Sequence, residues 1–290
     1  MELLPSGAAI SSRDFATELV ESGKLVYIDS GDTGAKYLAL LGPISLPVMI
    51  GGRGRTSFLW YIFSRFSRND ASCFTSENPV NSILTYGLSA LKKNDALKDE
   101  KALPLIRLHS GCHTGDILGS MRCDCGPQFH EALRRIVENR CGALVYIASH
   151  EGRGIGLWAK ALTYLLQDRG YDTYVANEVL GFPTDARTYG DALAALRHLL
   201  PEGRREVRLL SNNPAKRAEL ESGGFKVVEM RKLVVGVSNY NVNYLASKSR
   251  RGHNISSTDL GAAVSSAGLP FMQTGEVHTR TLQGQQKGEE

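Results

Sequence analysis

The 290-residue chain has no long apolar run, little surplus charge and few cysteines, and each shortage removes a class of explanation. Its aromatic stretch FLWYIF, around Trp60, falls far below the ~20 apolar residues that a membrane-spanning helix needs. The opening MELLPSGAAI carries neither the positive start nor the long apolar core of a secretory signal. A soluble cytoplasmic protein without a membrane partner is therefore expected. Lysine and arginine number 34 against 30 acidic residues, a formal net charge of +4. With no large basic tract, indiscriminate nucleic-acid binding is not expected, but a local basic pocket for a phosphorylated substrate is permitted. Five cysteines, an odd and clustered set, fit a reducing compartment better than a disulfide framework. The 42% hydrophobic content is enough to bury the core of one large domain or two ordinary ones.

What is present is concentrated. RLHSGCHTGDILGSMRCDCGPQ, from Arg107 to Gln128, holds Cys112, Cys123 and Cys125 in a C-x10-C-x-C spacing beside histidines and glycines. The two closely spaced thiols can face one ion only if the backbone turns tightly, which Gly119 and Gly126 permit. Three thiolates leave zinc one tetrahedral position short, and an open position is the mark of a catalytic site. A closed structural site completed by His109 or His113, and a disulfide, are the alternatives that the spacing leaves open.

Three regions differ in character. Residues 1–81 read as an N-terminal α+β extension. A helix in SSRDFATELVESG, with Ser11 and Asp14 spaced as a capping box and Gly23 as its stop, is followed by the strands KLVYI, KYLALL and LPVMI. GGRGR, Gly51 to Arg55, reads as a solvated turn, and the polar segment SRNDASCFTSENPVNS, broken by Pro79, marks a boundary. Residues 82–247 alternate apolar strands with amphipathic helices, an α/β pattern. Residues 248–290 show little apolar periodicity and are expected to be a flexible tail.

Four further clusters lie in the middle region. SHEGRGIG sets Glu151, Gly152 and Arg153 directly after a buried strand, the position where open α/β sheets bind ligands, and Arg153 could pair with phosphate. An Arg–Glu surface pair on a tight turn is the plainer reading. LGFPTDARTY brings Asp185 and Arg187 to a helix entrance, where Asp185 could serve simply as an N-cap; an arginine there could also stabilise charge developing on phosphate. SNNPAK puts Ser211 and Lys216 at a strand-to-helix junction suited to anions. Thr173 adds a hydroxyl at a loop after LQDRGYD.

In order and approximate spacing, RLHSGC-HTGD-RCDCG, HEGRGIGL, LQDRGYDT, LGFPTDARTY and SNNPAK resemble the motifs of GTP cyclohydrolase II, from about Ile83 to Tyr244. The resemblance implies a mixed sheet with flanking helices and hydrolysis of the guanine imidazole ring of GTP, with release of formate and diphosphate. It implies one Zn2+ per chain on Cys112, Cys123 and Cys125, Mg2+ with the triphosphate, and a homodimer. Arg107, His109, Ser110, Gln128 and Glu151 fall at the family's GTP contacts. So do Gly152, Arg153, Thr173, Ser211 and Lys216. Asp185 matches the proposed proton acceptor, Arg187 the residue proposed to attack the α-phosphate, and Tyr164 a position that could hold the intermediate. An arginine nucleophile is chemically unusual because a guanidinium almost always keeps its proton, and Tyr164 could equally be a packing aromatic.

Three features depart from the family pattern: the N-terminal eighty residues exceed the compact form, the strand before the cysteine region looks shortened to LSALKKNDALKDEKALPLI, and Gly111 and His113 frame Cys112 where the family has Glu and Leu, so a substrate-contact carboxylate is missing. Its loss is expected to weaken GTP binding or alter substrate choice while metal chemistry continues, and Gly111→Glu is expected to restore affinity. The other readings are a cyclohydrolase that stops at the formamide, one that takes another purine nucleotide, and a non-catalytic zinc- or nucleotide-binding homologue. A purine deaminase would need H-x-E with P-C-x-x-C, which the chain lacks.

Overall fold

The computed structural model describes residues 12–28, 36–67, 80–88 and 103–266. Most of the expected boundary segment (residues 68–79), most of the stretch before the cysteine region (89–102) and the last residues (267–290) lie outside them.

Helix α1 (Ser12–Glu21) ends where Gly23 turns at φ 68°, as its sequence predicts. Strand β1 (Leu25–Ile28) leads to a long hairpin of β2 (Lys36–Ile50) and β3 (Gly54–Ser67), turning at Gly51–Arg53. KYLALL and LPVMI, expected as separate strands, form this single β2. The register shifts between Leu41 and Ile44 but pairing resumes beyond. Glycine makes that possible: Gly42 sits at φ 136°, and a Cβ there would lie 2.7 Å from the Trp60 carbonyl oxygen.

Beyond β4 (Asn81–Tyr86) and β5 (Leu105–Ser110) the chain alternates helix and strand. Helix α2 (Cys125–Glu138) precedes β6 (Gly142–Ile147), and α3 (Gly156–Gln167), α4 (Thr173–Val179) and α5 (Gly190–Leu199) precede β7 (Glu206–Leu210). Helix α6 (Pro214–Ser222), β8 (Lys226–Arg231), α7 (Val242–Arg250) and α8 (Ser257–Ser266) complete the order. Pro214 opens α6, where its missing N–H costs nothing, and the Asn213 side chain caps the helix by accepting from Ala215 N.

All eight strands form one sheet in the order β1-β2-β3-β4-β6-β5-β7-β8. The first four strands and the β4–β6 pair are antiparallel; β6, β5, β7 and β8 run parallel. The fold is thus the mixed α/β sheet with flanking helices. Strand β3 pairs with β4 from Leu59↔Thr85 to Phe63↔Asn81, so the sheet passes without a break across the expected division at residue 81.

Side chains alternate between the two faces of the sheet. Ile106, Val145 and Leu209 join α5 and α6 in one core through Leu196, Leu199 and Leu220, while Leu105, Leu144 and Leu210 meet Ala132, Leu133 and Ile136 of α2 on the other. Leu144, wholly buried at the centre, would cost about 2–5 kcal/mol if cut to alanine.

Where a tail was expected from residue 248, the chain instead completes α7 and forms α8. Val242, Leu245, Ile255 and Leu260 are buried together, packed against Val234 and Val237. Four apolar positions spread over two short helices and the link between them are too sparse to read as periodicity, yet they suffice once a strand-following loop supplies the opposing surface. No helix among the described residues is long and apolar enough to cross a membrane.

Candidate functional site

Three parallel strands end on the same side of the sheet, and each delivers part of the site: β5 runs into Ser110 and Cys112, β6 into Glu151 and β7 into Ser211. After β5, residues His113–Ile117 wind into one wide π-helical turn, whose N-cap Cys112 accepts from Gly115 N at 3.4 Å. Asp116 ties the turn down. Its carboxylate accepts from Cys112 N (2.9 Å) and meets His109 Nε2 (3.0 Å).

The turn brings the thiols together. The sulfurs of Cys112, Cys123 and Cys125 all lie within 4.8 Å of one another, and those of Cys112 and Cys123 are 3.6 Å apart. Tetrahedral zinc at ~2.3 Å from each sulfur needs a sulfur–sulfur separation of about 3.8 Å, so this donor set fits the ion. Among the described residues no histidine or carboxylate completes the cluster, which leaves His109 and His113 outside it. Glycine makes room: a Cβ on Gly115 would stand 2.7 Å from Cys123 Sγ, and one on Gly126 would stand 2.4 Å from Gly115 O. Gly119, at φ 66°, turns the intervening loop.

Lys160 of α3 was not singled out by its sequence context, a lysine in an amphipathic helix. Its ammonium donates to Cys112 Sγ at 3.1 Å and to Glu151 at 2.6 Å. Glu151 also accepts from His113 N at 2.5 Å, so its carboxylate is spent holding the cysteine turn and Lys160 together. Thr114 links Cys112 Sγ (3.6 Å) to the Tyr164 hydroxyl (3.1 Å). Burial raises the Tyr164 pKa, so the phenol keeps its proton.

The cleft has two lobes that share Ser110, Cys125, Arg153 and Tyr244. The thiol lobe, about 610 Å³, is walled by the cysteines, Glu151, Tyr164, Thr173 and Asn177. Thr173 begins α4 rather than standing in a loop, and the buried Asn177 amide nitrogen has no partner. The second lobe, about 640 Å³, is lined by Arg107, Arg153, Arg187, Lys216 and Lys248, and among the described residues no carboxylate lines it.

Each cation is held in place. Arg107 donates to Leu210 O (3.0 Å) and Gln128 Oε1 (2.6 Å), leaving its Nε without a partner. Gln128 donates onward to Asp124 at 2.5 Å. Lys216 donates to Leu108 O at 2.7 Å; burial first, then Arg107, Arg187 and Lys248, push its pKa well below the usual lysine range. Ser211 Oγ accepts from Asn213 N at 3.1 Å, within the same lobe. Arg153 lies at φ 66°, left-handed for a non-glycine residue, and its guanidinium sits 3.7 Å from the Tyr174 ring centroid.

Asp185 is not an N-cap: α5 starts only at Gly190, behind Tyr189. Its carboxylate instead accepts from Arg187 N (3.1 Å), Nε (2.8 Å) and Nη2 (2.5 Å). Burial opposes the charge on Arg187, but these bonds outweigh it and raise the guanidinium pKa further. Arg187 also donates to Ser110 Oγ at 3.1 Å. His150 orients that hydroxyl: its Nε2 can only donate to Thr188 O (2.8 Å), so its Nδ1 accepts from Ser110 (3.2 Å). Burial holds His150 neutral, its pKa pushed down to about 4.

His109 is placed differently from the other predicted contacts. Its ring is buried, bonded to Asp116 and stacked on Tyr146 with centroids 5.5 Å apart, supporting the cysteine turn. At Gly111 the chain grazes β6, and a Cβ would lie 3.1 Å from Ile147 O and 3.2 Å from the Tyr146 ring. A glutamate there requires this junction to give.

Fold and geometry together set a three-thiol cluster that could hold a metal ion beside a cleft lined by lysine and arginine, at the ends of the parallel strands of a mixed α/β sheet. Residues 80–232 match the family GTP cyclohydrolase II, and the chain belongs to that family. Among curated relatives it is similar to riboflavin biosynthesis protein RibBA of Salinispora arenicola, 51% identical over 150 residues, which make up 51% of this chain and 35% of the relative. It is also similar to RibBA of Parabacteroides distasonis, 48% identical over 165 residues, 57% of this chain and 39% of the relative. RibBA of Chlamydia trachomatis matches likewise, 48% over 165 residues, 57% and 38%. The match thus spans little more than a third of these relatives' length.

Proposed function

We propose that the chain hydrolyses GTP to 2,5-diamino-6-(5-phosphoribosylamino)pyrimidin-4-one, formate and diphosphate, as a cytoplasmic homodimer with no nucleic-acid or membrane partner. The observation that carries this reading is the adjacency of the two lobes: three thiols with no fourth protein ligand among the described residues, next to a cleft lined by lysine and arginine. Cys112, Cys123 and Cys125 would hold zinc, whose Lewis acidity lowers the pKa of a water enough to attack a poor electrophile near neutral pH. Mg2+ would accompany the triphosphate.

The chain's own groups divide the remaining work. Two bonds break at the imidazole carbon that leaves as formate and one in the phosphoanhydride, and each consumes a water. Tyr164, protonated and anchored through Thr114 to the cysteine turn, can donate to a ring nitrogen as its bond to carbon breaks. Arg187 faces the phosphate lobe with its charge locked by Asp185, which suits it to stabilising the charge that develops as diphosphate leaves. A guanidinium so paired is a poor nucleophile. Asp185, bonded three times to Arg187, serves to orient it.

Incubation with GTP, zinc and magnesium followed by mass analysis tests the reading. The product is expected to lack both formate and diphosphate. A formyl-bearing monophosphate would mean a reaction arrested at the formamide, and untouched GTP would refute the activity on this substrate.

A further inference from the structure

The segment after β8 lies beyond the residues that match the family, yet it closes the cationic lobe. Lys248 of α7 donates to Asp124 at 2.7 Å, and Asp124 accepts from Gln128, which accepts from Arg107. One hydrogen-bonded chain therefore runs from β5, past the cysteine pair, to α7. The far end of α7 is fastened too. Arg251 lies 3.7 Å from the Tyr174 centroid, as does Arg153, and two cations that near one ring must take opposite faces.

The charges in the lobe do not balance. Five lysine and arginine side chains line it, while Asp124 and Asp185 pair with Lys248 and Arg187 from behind rather than from within the lobe. His253 completes the wall, and its Nδ1 is buried without a partner. Burial and then Lys248, Arg153, Lys216 and Arg187 push the His253 pKa down to about 4. An anion of several charges placed between these side chains would relieve their mutual repulsion, which, after burial, already pushes the Lys216 pKa down.

We propose that Lys248 and His253 bind the terminal phosphates of the nucleotide, making α7 a phosphate-binding wall of the cleft. The proposal rests on the GTP reading for the identity of the ligand, but its anion chemistry is tested separately. The probe is inorganic triphosphate with magnesium, titrated calorimetrically into the full zinc-loaded chain, alongside steady-state kinetics with GTP. Lys248→Met is expected to weaken triphosphate binding at least about tenfold and to raise the KM for GTP far more than it lowers kcat, as lost uniform binding does. Lys248→Arg should recover most of the affinity, since it keeps both the charge and the bond to Asp124. Zinc content, measured on each variant, reports whether the cysteine loop has stayed intact.

If Lys248→Met fails to fold, His253→Ala decides, because that ring gives up no bond within the protein: about threefold weaker triphosphate binding at unchanged Tm is expected. Triphosphate affinity within twofold of the parent chain in the folded variants, or no recovery with arginine, overturns the proposal. A parent chain that leaves GTP untouched but binds triphosphate through Lys248 keeps the wall and loses the cyclohydrolase reading. One that turns over GTP without binding triphosphate does the reverse.

Discussion

The two halves of the sheet are built from similar apolar strands but differ in what their ends do. In the antiparallel half, β2 and β3 are joined directly by a tight turn, so those two strand ends are consumed by each other. In the parallel half every strand must be followed by a crossover, and β5, β6 and β7 release their chains on one side. The candidate ligands and phosphate contacts stand on β5 itself, on those loops and on the helices behind them. Parallel pairing, rather than any special strand composition, is what gathers the chemistry.

The largest test of that asymmetry is Cys123→Ser. On the proposed reading it is expected to abolish zinc binding and to slow formate release by at least about 10³-fold, because a water activated at an open zinc site depends on the ion being there. Metal analysis of the purified variant, with a formate assay, checks both; full activity without zinc would break the assignment. Arg187→Ala should cut diphosphate release by about 10²–10³-fold while the protein keeps its zinc, separating the two lobes kinetically.

Gly115→Ala probes the loop geometry without removing a ligand. A methyl 2.7 Å from Cys123 Sγ must displace the sulfur, and competition with a chelator should read about 10–100-fold weaker zinc binding. Asp191→Ala tests the other half. It removes the bond from Arg65 of β3 (2.7 Å) to α5, at a cost of about 1 kcal/mol. A fall in Tm of about 2–4 °C with kcat unchanged is expected; a large loss of activity would mean that the antiparallel half also positions the site.

The smallest effect concerns acid stability. Hydrogen bonds from Arg134 and then Arg135 hold the Glu131 pKa at about 2 on α2. A carboxylate whose folded pKa is depressed stabilises the fold above its unfolded pKa of ~4.5 and loses that contribution as pH falls toward 2. Glu131→Gln should therefore cost about 0.5 kcal/mol at neutral pH, and the difference should vanish between pH 4.5 and 2 in urea titrations.

Much of this was legible in the residues. The clustering of the three cysteines and the alternation of strands and helices from β5 to β8 are legible because glycine, proline or a capping residue marks many of the element ends. Three features were not legible. Lys160 and Lys248 resemble any helix lysine until the fold aims one at Cys112 and the other at Asp124. Asp185 reads as an N-cap because nothing local reveals that α5 begins five residues later, at Gly190. The segment from residue 248 reads as tail because its few apolar side chains gain meaning only against Val234 and Val237.

The backbone at Arg153 sets a limit on improving this molecule. At φ 66° a side-chain-bearing residue pays about 1 kcal/mol or more that glycine would not. A search for heat-resistant variants would thus be drawn to glycine at this position. It would gain a calmer loop and lose both a cation of the cleft and one of the two guanidinium groups that clasp Tyr174, so durability and turnover should be opposed at this single residue.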